Sequence, residues 1–185
     1  GEGGGNNERQ YYTNGNNASI VSDASAQDGS ALLIEARKDN PSNYQCWYGT
    51  CQYTSARMIT QGKRSWQYGK IEARMKLPVG NGLWPAFWMM GNSGGWPASG
   101  EIDIMELVGG TQCGSECGDN HTHGYMWWSG TGDQSAGAQA QNLSSGTYAD
   151  AYHTFGVEWD SQQIAWFIDG QPLLRADNGQ PLVLS

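Results

Sequence analysis

Apolar and polar residues alternate with a period of two along much of this chain, while a helical period of 3.6 residues is hard to find. In Gly69–Leu77 the side chains of Ile71, Ala73, Met75 and Leu77 fall on one face, and those of Lys70, Glu72, Arg74 and Lys76 on the other. His153–Trp159 groups Phe155, Val157 and Trp159; Gln163–Ile168 groups Ile164, Trp166 and Ile168 and ends on Asp169-Gly170, a strong turn signal. Ala31–Lys38, Tyr53–Thr60, Leu83–Met90, Glu101–Val108 and Tyr125–Trp128 also read as strands. Several strands about ten residues apart predict an all-β fold, an antiparallel sandwich or barrel. Gly91–Ser99, Gly109–Asp119 and Ser129–Ala151 read as loops, the last being the longest and the one expected to be most mobile. No boundary divides the pattern, so residues 1–185 are read as one domain. Both ends look cut. The chain opens on a Gly-rich segment with no strand before it and stops at Pro181–Ser185, at what reads as the start of another strand, so flanking strands are expected beyond both termini.

Composition narrows the class. Hydrophobic residues at 38% against 15% charged rule out a disordered, charge-rich chain, and the 27 glycines cluster between apolar segments as turns require. A net charge of −8 argues against a phosphate-backbone partner, so no nucleic acid is expected. No apolar run approaches the roughly 18 residues of a membrane span, so no membrane partner is expected either. Nine Trp and nine Tyr stand against three Phe. A core would be filled as well by Phe, whereas Trp and Tyr add a polar handle to a flat apolar face, which suits the C–H face and hydroxyl rim of a sugar ring. The four cysteines form two close pairs, Cys46/Cys51 and Cys113/Cys117, and their spacing favours two local disulfides and an exported protein. A zinc site built from Cys113, Cys117, His121 and His123 is the rival reading, weakened by loose spacing in a Gly-rich segment.

The segment Ser99–Gly109, SGEIDIMELVG, carries the chemistry. Glu101, Asp103 and Glu106 are three carboxylates among Ile102, Ile104, Met105 and Leu107, and each resists desolvation. Glu101 and Asp103 share a face, but Glu106, five positions from Glu101, points the other way in a regular strand. A one-residue β-bulge restores the parity. Four strand steps then separate the Cα atoms by about 13 Å. Side chains leaning inward bring the two carboxyls to about 5–6 Å, the spacing of a pair that acts by double displacement. A calcium site is the alternative, though such cages usually draw on loops rather than an apolar strand.

Glu-Ile-Asp-Ile-Met-Glu resembles the signature of glycoside hydrolase family 16 in its bulged form, the form of laminarinases and agarases. Further similarity lies in Asn6–Thr13, Gly69–Lys76, Gly82–Met90, Trp96–Gly100 and His153–Gly170, so it spans about residues 6–175. The resemblance implies a β-jelly-roll of the concanavalin A type with an open cleft on its concave sheet, and retaining endo-hydrolysis of β-1,3-glucan. It implies Glu101 as nucleophile, Glu106 as acid and base, and Asp103 as the carboxylate between them. Trp84, Trp88 and Trp96 would stack on sugar rings, with Asn7 and Arg74 at polar cleft positions. His123 would lie on the product side with Trp127, which stands where laminarinases commonly carry a second histidine. That departure bears on linkage preference. No cofactor for catalysis is implied. A structural calcium ion on the convex side is a family feature whose ligands this sequence does not place. A secreted monomer is expected. Other readings are a mixed-linkage β-1,3-1,4-glucanase, an agarose-type galactanase, a transglycosylase on the same acids, and a non-catalytic β-glucan-binding protein. Such binding proteins tend to lose the acids, all three of which are present here.

Overall fold

The computed structural model describes residues 5–130, 132–139, 143–177 and 180–183, which form two compact units, Gly1–Lys63 and Arg64–Ser185. The first unit is made of short strands: β1 (Gln10–Tyr12), β2 (Ala18–Ser22), β3 (Ser30–Ile34), β4 (Gln45–Cys46), β5 (Gly49–Thr50) and β6 (Tyr53–Ser55). β2 and β3 pair antiparallel, β1 pairs parallel with β6, and the Cys46–Cys51 disulfide staples the β4–β5 hairpin with a Cα separation of 5.0 Å. A buried polar knot fixes this unit. Asn17, 2% exposed, accepts from the Thr13 hydroxyl at 2.6 Å and donates to the Glu35 carbonyl and the Thr54 Oγ1, both at 3.0 Å. Every polar atom that folding buries there has a partner, which is what makes its burial affordable.

The second unit holds two sheets. One has the order β11-β10-β9-β8, with β8 Ala86–Met90, β9 Glu101–Glu106, β10 His123–Gly130 and β11 Gly132–Gln139. The other has the order β15-β14-β13-β12-β7, with β7 Gly69–Met75, β12 His153–Trp159, β13 Gln163–Ile168, β14 Gln171–Asp177 and β15 Gln180–Val183. All of these pairings are antiparallel. The sheets share one apolar core. Ile104, Met105 and Leu107 come from β9 and its continuation, Phe155 and Val157 from β12, Ile164 and Trp166 from β13, with Leu77 and Tyr148 between them. Period-two patterning produces this directly: Ile71 and Met75 of β7 pack on the core, while Lys70, Glu72 and Arg74 take the outer face. Asp169 and Gly170 both take positive φ, 50° and 76°, in the two-residue turn that the sequence signalled between β13 and β14.

Several expected boundaries shift. Leu83–Met90 shortens to β8 because Pro85 has no N–H for a ladder; the Pro85 and Leu83 carbonyls still accept from Leu107 and Gly109, at 3.1 and 2.9 Å. Tyr53–Thr60 shortens to β6, and Ala31–Lys38 to β3 with an isolated bridge between Arg37 and Thr54. The expected loop Ser129–Ala151 contains strand β11, antiparallel to β10. Its sequence, GDQSAGAQ, lacks the large apolar residues that would reveal a period. At the C-terminal end Gln180–Val183 is a strand, and residues 184–185 lie outside the described set.

Candidate active site

The bulge lies on β9. Opposite β8, Phe87 aligns with Met105 and Trp88 with Asp103, so β9 carries one extra residue there. Opposite β10, His123 aligns with Glu106 and Tyr125 with Asp103, and the same residue is in excess. Ile104 and Met105 consequently both enter the core, at 4% and 1% exposure, and Glu106 returns to the face that carries Glu101 and Asp103. The opposite sheet reinforces this point. Trp166 of β13 donates its indole N–H to the Asp103 carbonyl at 2.8 Å. Its ring lies under Gly124, where an added Cβ would stand 2.6 Å from the ring, so no larger residue fits there without moving the tryptophan.

Cross-strand register decides which side chains share the acids' face. Trp88 of β8 aligns with Asp103 and is not among the core residues, unlike its neighbours Phe87 and Met89. On β10, His123, Tyr125 and Trp127 align with Glu106, Asp103 and Glu101 in turn. Their rings follow one another at 5.9 and 6.1 Å, and Trp96 continues the row 5.8 Å from Trp127. Trp96 comes from the loop after β8. The two ends of that loop meet where the Gly91 N–H bonds the Gly100 carbonyl at 2.9 Å, and any Cβ on Gly91 would run into the Ser99 carbonyl.

Each acid accepts one indole N–H. Trp96 donates to Glu101 Oε2 at 2.5 Å, Trp127 to Asp103 Oδ2 at 3.0 Å, and Trp84 to Glu106 Oε1 at 2.9 Å. Burial holds the Glu106 carboxyl above the usual carboxylate range; the Trp84 bond works against this and the Glu101 charge adds to it. Asp103 is pushed up to about 8, first by burial and then by the charges of Glu106 and Glu101, with the Trp127 bond opposing and a hydrogen bond with Glu101 adding to the rise. His123 is buried and its Nε2 lies 3.1 Å from the Glu116 carbonyl. A carbonyl only accepts, so that nitrogen carries the hydrogen; burial lowers the ring's basicity and keeps it neutral.

The structure therefore brings Glu101, Asp103, Glu106, Trp84, Trp88, Trp96, His123 and Trp127 to one side of the four-stranded sheet. Trp84 precedes β8, within the segment Leu83–Met90 expected to be strand throughout, and reaches Glu106 from outside the ladder. Arg74 is not brought to the acids. It stands on the outer face of the five-stranded sheet with its guanidinium over the Tyr152 ring at 4.8 Å, as the parity of β7 requires. Asn7 belongs to the first unit, in the turn before β1, with φ of 57°. Tyr125, between His123 and Trp127, escaped the sequence reading, although the period of two in Tyr125–Trp128 places it beside Trp127. Cys113 and Cys117 are bonded to each other, with Cα atoms 5.3 Å apart, so they do not form a zinc site with His121 and His123. Among the described residues no group of three or more His, Cys, Asp or Glu side chains gathers to hold a metal ion, and no calcium ligands are assigned. No helix among the described residues is long and apolar enough to cross a membrane, which says nothing of membrane β-barrels.

The chain is 38% identical over 185 residues to a β-glucanase of Rhodothermus marinus, covering 96% of this chain and 57% of that protein. It is 38% identical over 179 residues to glucan endo-1,3-beta-glucosidase A1 of Niallia circulans, covering 95% of this chain and 25% of that protein. The laminarinase catalytic domain of Thermotoga maritima superposes with a TM-score of 0.73 at 38% identity, over 94% of this chain and 64% of that one. The chain thus spans less than two thirds of the length of these relatives, and shares their antiparallel jelly-roll fold. The family model for glycosyl hydrolases family 16 matches residues 6–182, and the chain belongs to that family.

Proposed function

We propose that this chain is a secreted, monomeric endo-β-1,3-glucanase of the laminarinase type, one catalytic domain that cleaves with retention through Glu101 and Glu106. The observation that carries the reading is the bulge in β9, which turns both glutamates to one face with Asp103 between them. The names of the relatives, a β-glucanase, a glucan endo-1,3-beta-glucosidase and a laminarinase, support the substrate class. The two disulfides support secretion.

In the first step a Glu101 oxygen attacks the anomeric carbon, and the bond to the leaving sugar breaks as Glu106 gives that oxygen its proton. Burial and the Glu101 charge, which raise the Glu106 carboxyl, keep that proton in place until it is needed. Water then attacks the glycosyl ester. Glu106 takes the water proton and Glu101 leaves as carboxylate. Asp103, pushed up to about 8, is protonated at neutral pH and hydrogen-bonds Glu101, so the nucleophile gains a donor rather than a third negative charge. The exposed faces of Trp84 and Trp96, with Trp88, serve as sugar-stacking surfaces, while His123, Tyr125 and Trp127 line the product side. No step requires a cofactor.

Chain-length analysis of products from laminarin, lichenan and agarose tests this reading. Short β-1,3-linked oligosaccharides from laminarin, released from internal positions, are expected. Cleavage of lichenan or agarose alone would assign a different family substrate, and binding without cleavage would make the chain a glucan-recognition protein.

A further inference from the structure

Among the described residues no Lys or Arg contributes to the shifts of Asp103 or Glu106; the hydrogen bonds that favour their charged forms come from indoles. An indole N–H is a donor only, so the oxygen it meets must accept. Trp96 takes Glu101 Oε2, Trp127 takes Asp103 Oδ2, and Trp84 takes Glu106 Oε1. A carboxyl group has one other oxygen. The carbonyl oxygen of a protonated carboxyl is its better acceptor, so when Glu106 or Asp103 is protonated the indole bond favours the hydrogen on Oε2 or Oδ1.

We propose that Trp84, Trp96 and Trp127 are positioning residues that each occupy one oxygen of one acid and commit its other oxygen to the reaction. Glu101 Oε1 is thereby left to attack, Glu106 Oε2 to move the proton, and Asp103 Oδ1 to donate to Glu101. The inference rests on the proposed double displacement and goes beyond a stacking role for the same tryptophans. Stacking uses the ring faces, and Trp84 and Trp96 are 49% and 53% exposed with their N–H edges already engaged. The three donors come from three places: Trp84 from the segment before β8, Trp96 from the loop after it, and Trp127 from β10. Each reaches a different acid, which a shared apolar platform would not require. At position 127 the choice of indole also matters. An imidazole can accept or take a charge, whereas an indole fixes Asp103 Oδ2 as acceptor in every protonation state.

The test replaces each tryptophan in turn with β-(3-benzothienyl)alanine, which keeps the bicyclic ring and puts sulfur where the N–H was. Trp66→Phe, a change at an exposed tryptophan outside the site, is the control. Carboxyl 13C titration of the free protein is read alongside kcat and KM on laminarin oligosaccharides. The titratable groups around Asp103 are Glu101 and Glu106 on β9 and Tyr125 and His123 on β10, with Glu116 against His123 and Tyr125; Trp88 of β8 and Trp166 of β13 carry no charge.

Removing a donor destabilises the ionised acid. Asp103 is expected to titrate at higher pH in the Trp127 variant, and Glu106 in the Trp84 variant, moving the basic limb of the kcat profile upward. In all three variants kcat should fall about tenfold or more, with KM changed by about threefold at most. Titrations that stay put, with changes confined to KM, overturn the proposal and leave the indoles as stacking surfaces. Absence of laminarin hydrolysis in the wild-type protein would instead remove the proposed function, and the substrate-free titrations would still decide whether the indoles hold the acids.

Discussion

Strands β7 and β9 are built on the same alternation, one face to the shared core and one away from it, yet their outer faces treat charge in opposite ways. On β7 the charges are mixed and solvated: Lys70 pairs with Glu72 at 2.8 Å, and Arg74 rests on Tyr152. On β9 the three titratable groups are all acids, and Asp103, only 4% exposed, is raised to about 8 by burial and by its two neighbours. Solvated, paired charges on a strand cost little and tell little. Acids crowded together under partial burial oppose folding once they ionise, and a strand keeps them only where something else demands it. The difference between the two faces is therefore the difference between a surface and a site.

That comparison can be broken first at its strongest point. Glu101→Gln should lower turnover on laminarin by about 10⁴-fold or more while oligosaccharide binding stays within about threefold, since the ring contacts survive and the nucleophile does not. Near-normal turnover would end the assignment. Glu106→Gln should cost about 10²–10⁴-fold on the polysaccharide, with recovery on substrates whose leaving group needs no proton. If both variants lost activity equally on such activated substrates, Glu106 would not be the acid.

A smaller effect separates the two faces by pH. The folded Asp103 titrates at about 8 against an ordinary value of 3.8, so between those values the folded state binds more proton than the unfolded one. Its contribution to stability is greatest below about pH 4 and is lost as pH rises through about 8. Asp103→Asn should thus stabilise the protein relative to wild type increasingly across that window, with a gain in Tm that is largest near pH 8 and small at pH 4. Parallel stability curves would contradict the burial argument. The smallest effect belongs to β7: Lys70→Ala should leave turnover unchanged and Tm within about 1 °C. A large loss there would mean that the two outer faces do not differ as described.

Much of this was legible in the sequence, and unevenly so. Parity alone showed that Glu101 and Glu106 share a face only if β9 bulges, and it gave the core faces of β7, β12 and β13. The same parity placed Arg74 opposite Ile71 and Met75, and a family likeness was not enough to bring it to the acids. Strand β11 gave no signal because small and polar residues fill its positions, and hydrogen bonding rather than apolar alternation defines it. The indole bonds were beyond reach for a different reason. Which edge of a tryptophan meets which oxygen depends on side-chain torsions and on loops such as the one closed at Gly91, and neither leaves a periodic trace. The period of two put Trp166 on one face with Ile164 and Ile168, but its bond to the Asp103 carbonyl joins positions that only the packing of two sheets brings together.

The most direct test of the central claim is the anomeric configuration of the first product. The bulge sets Glu101 and Glu106 on one face with Asp103 between them, an arrangement suited to a covalent glycosyl intermediate and a second displacement by water. Proton NMR of a fresh laminarin digest should show β-anomeric reducing ends first, with the α-anomer growing in only at the rate of mutarotation. An α-anomer formed initially would mean single displacement, and the two-glutamate mechanism built on the bulge of β9 would be contradicted.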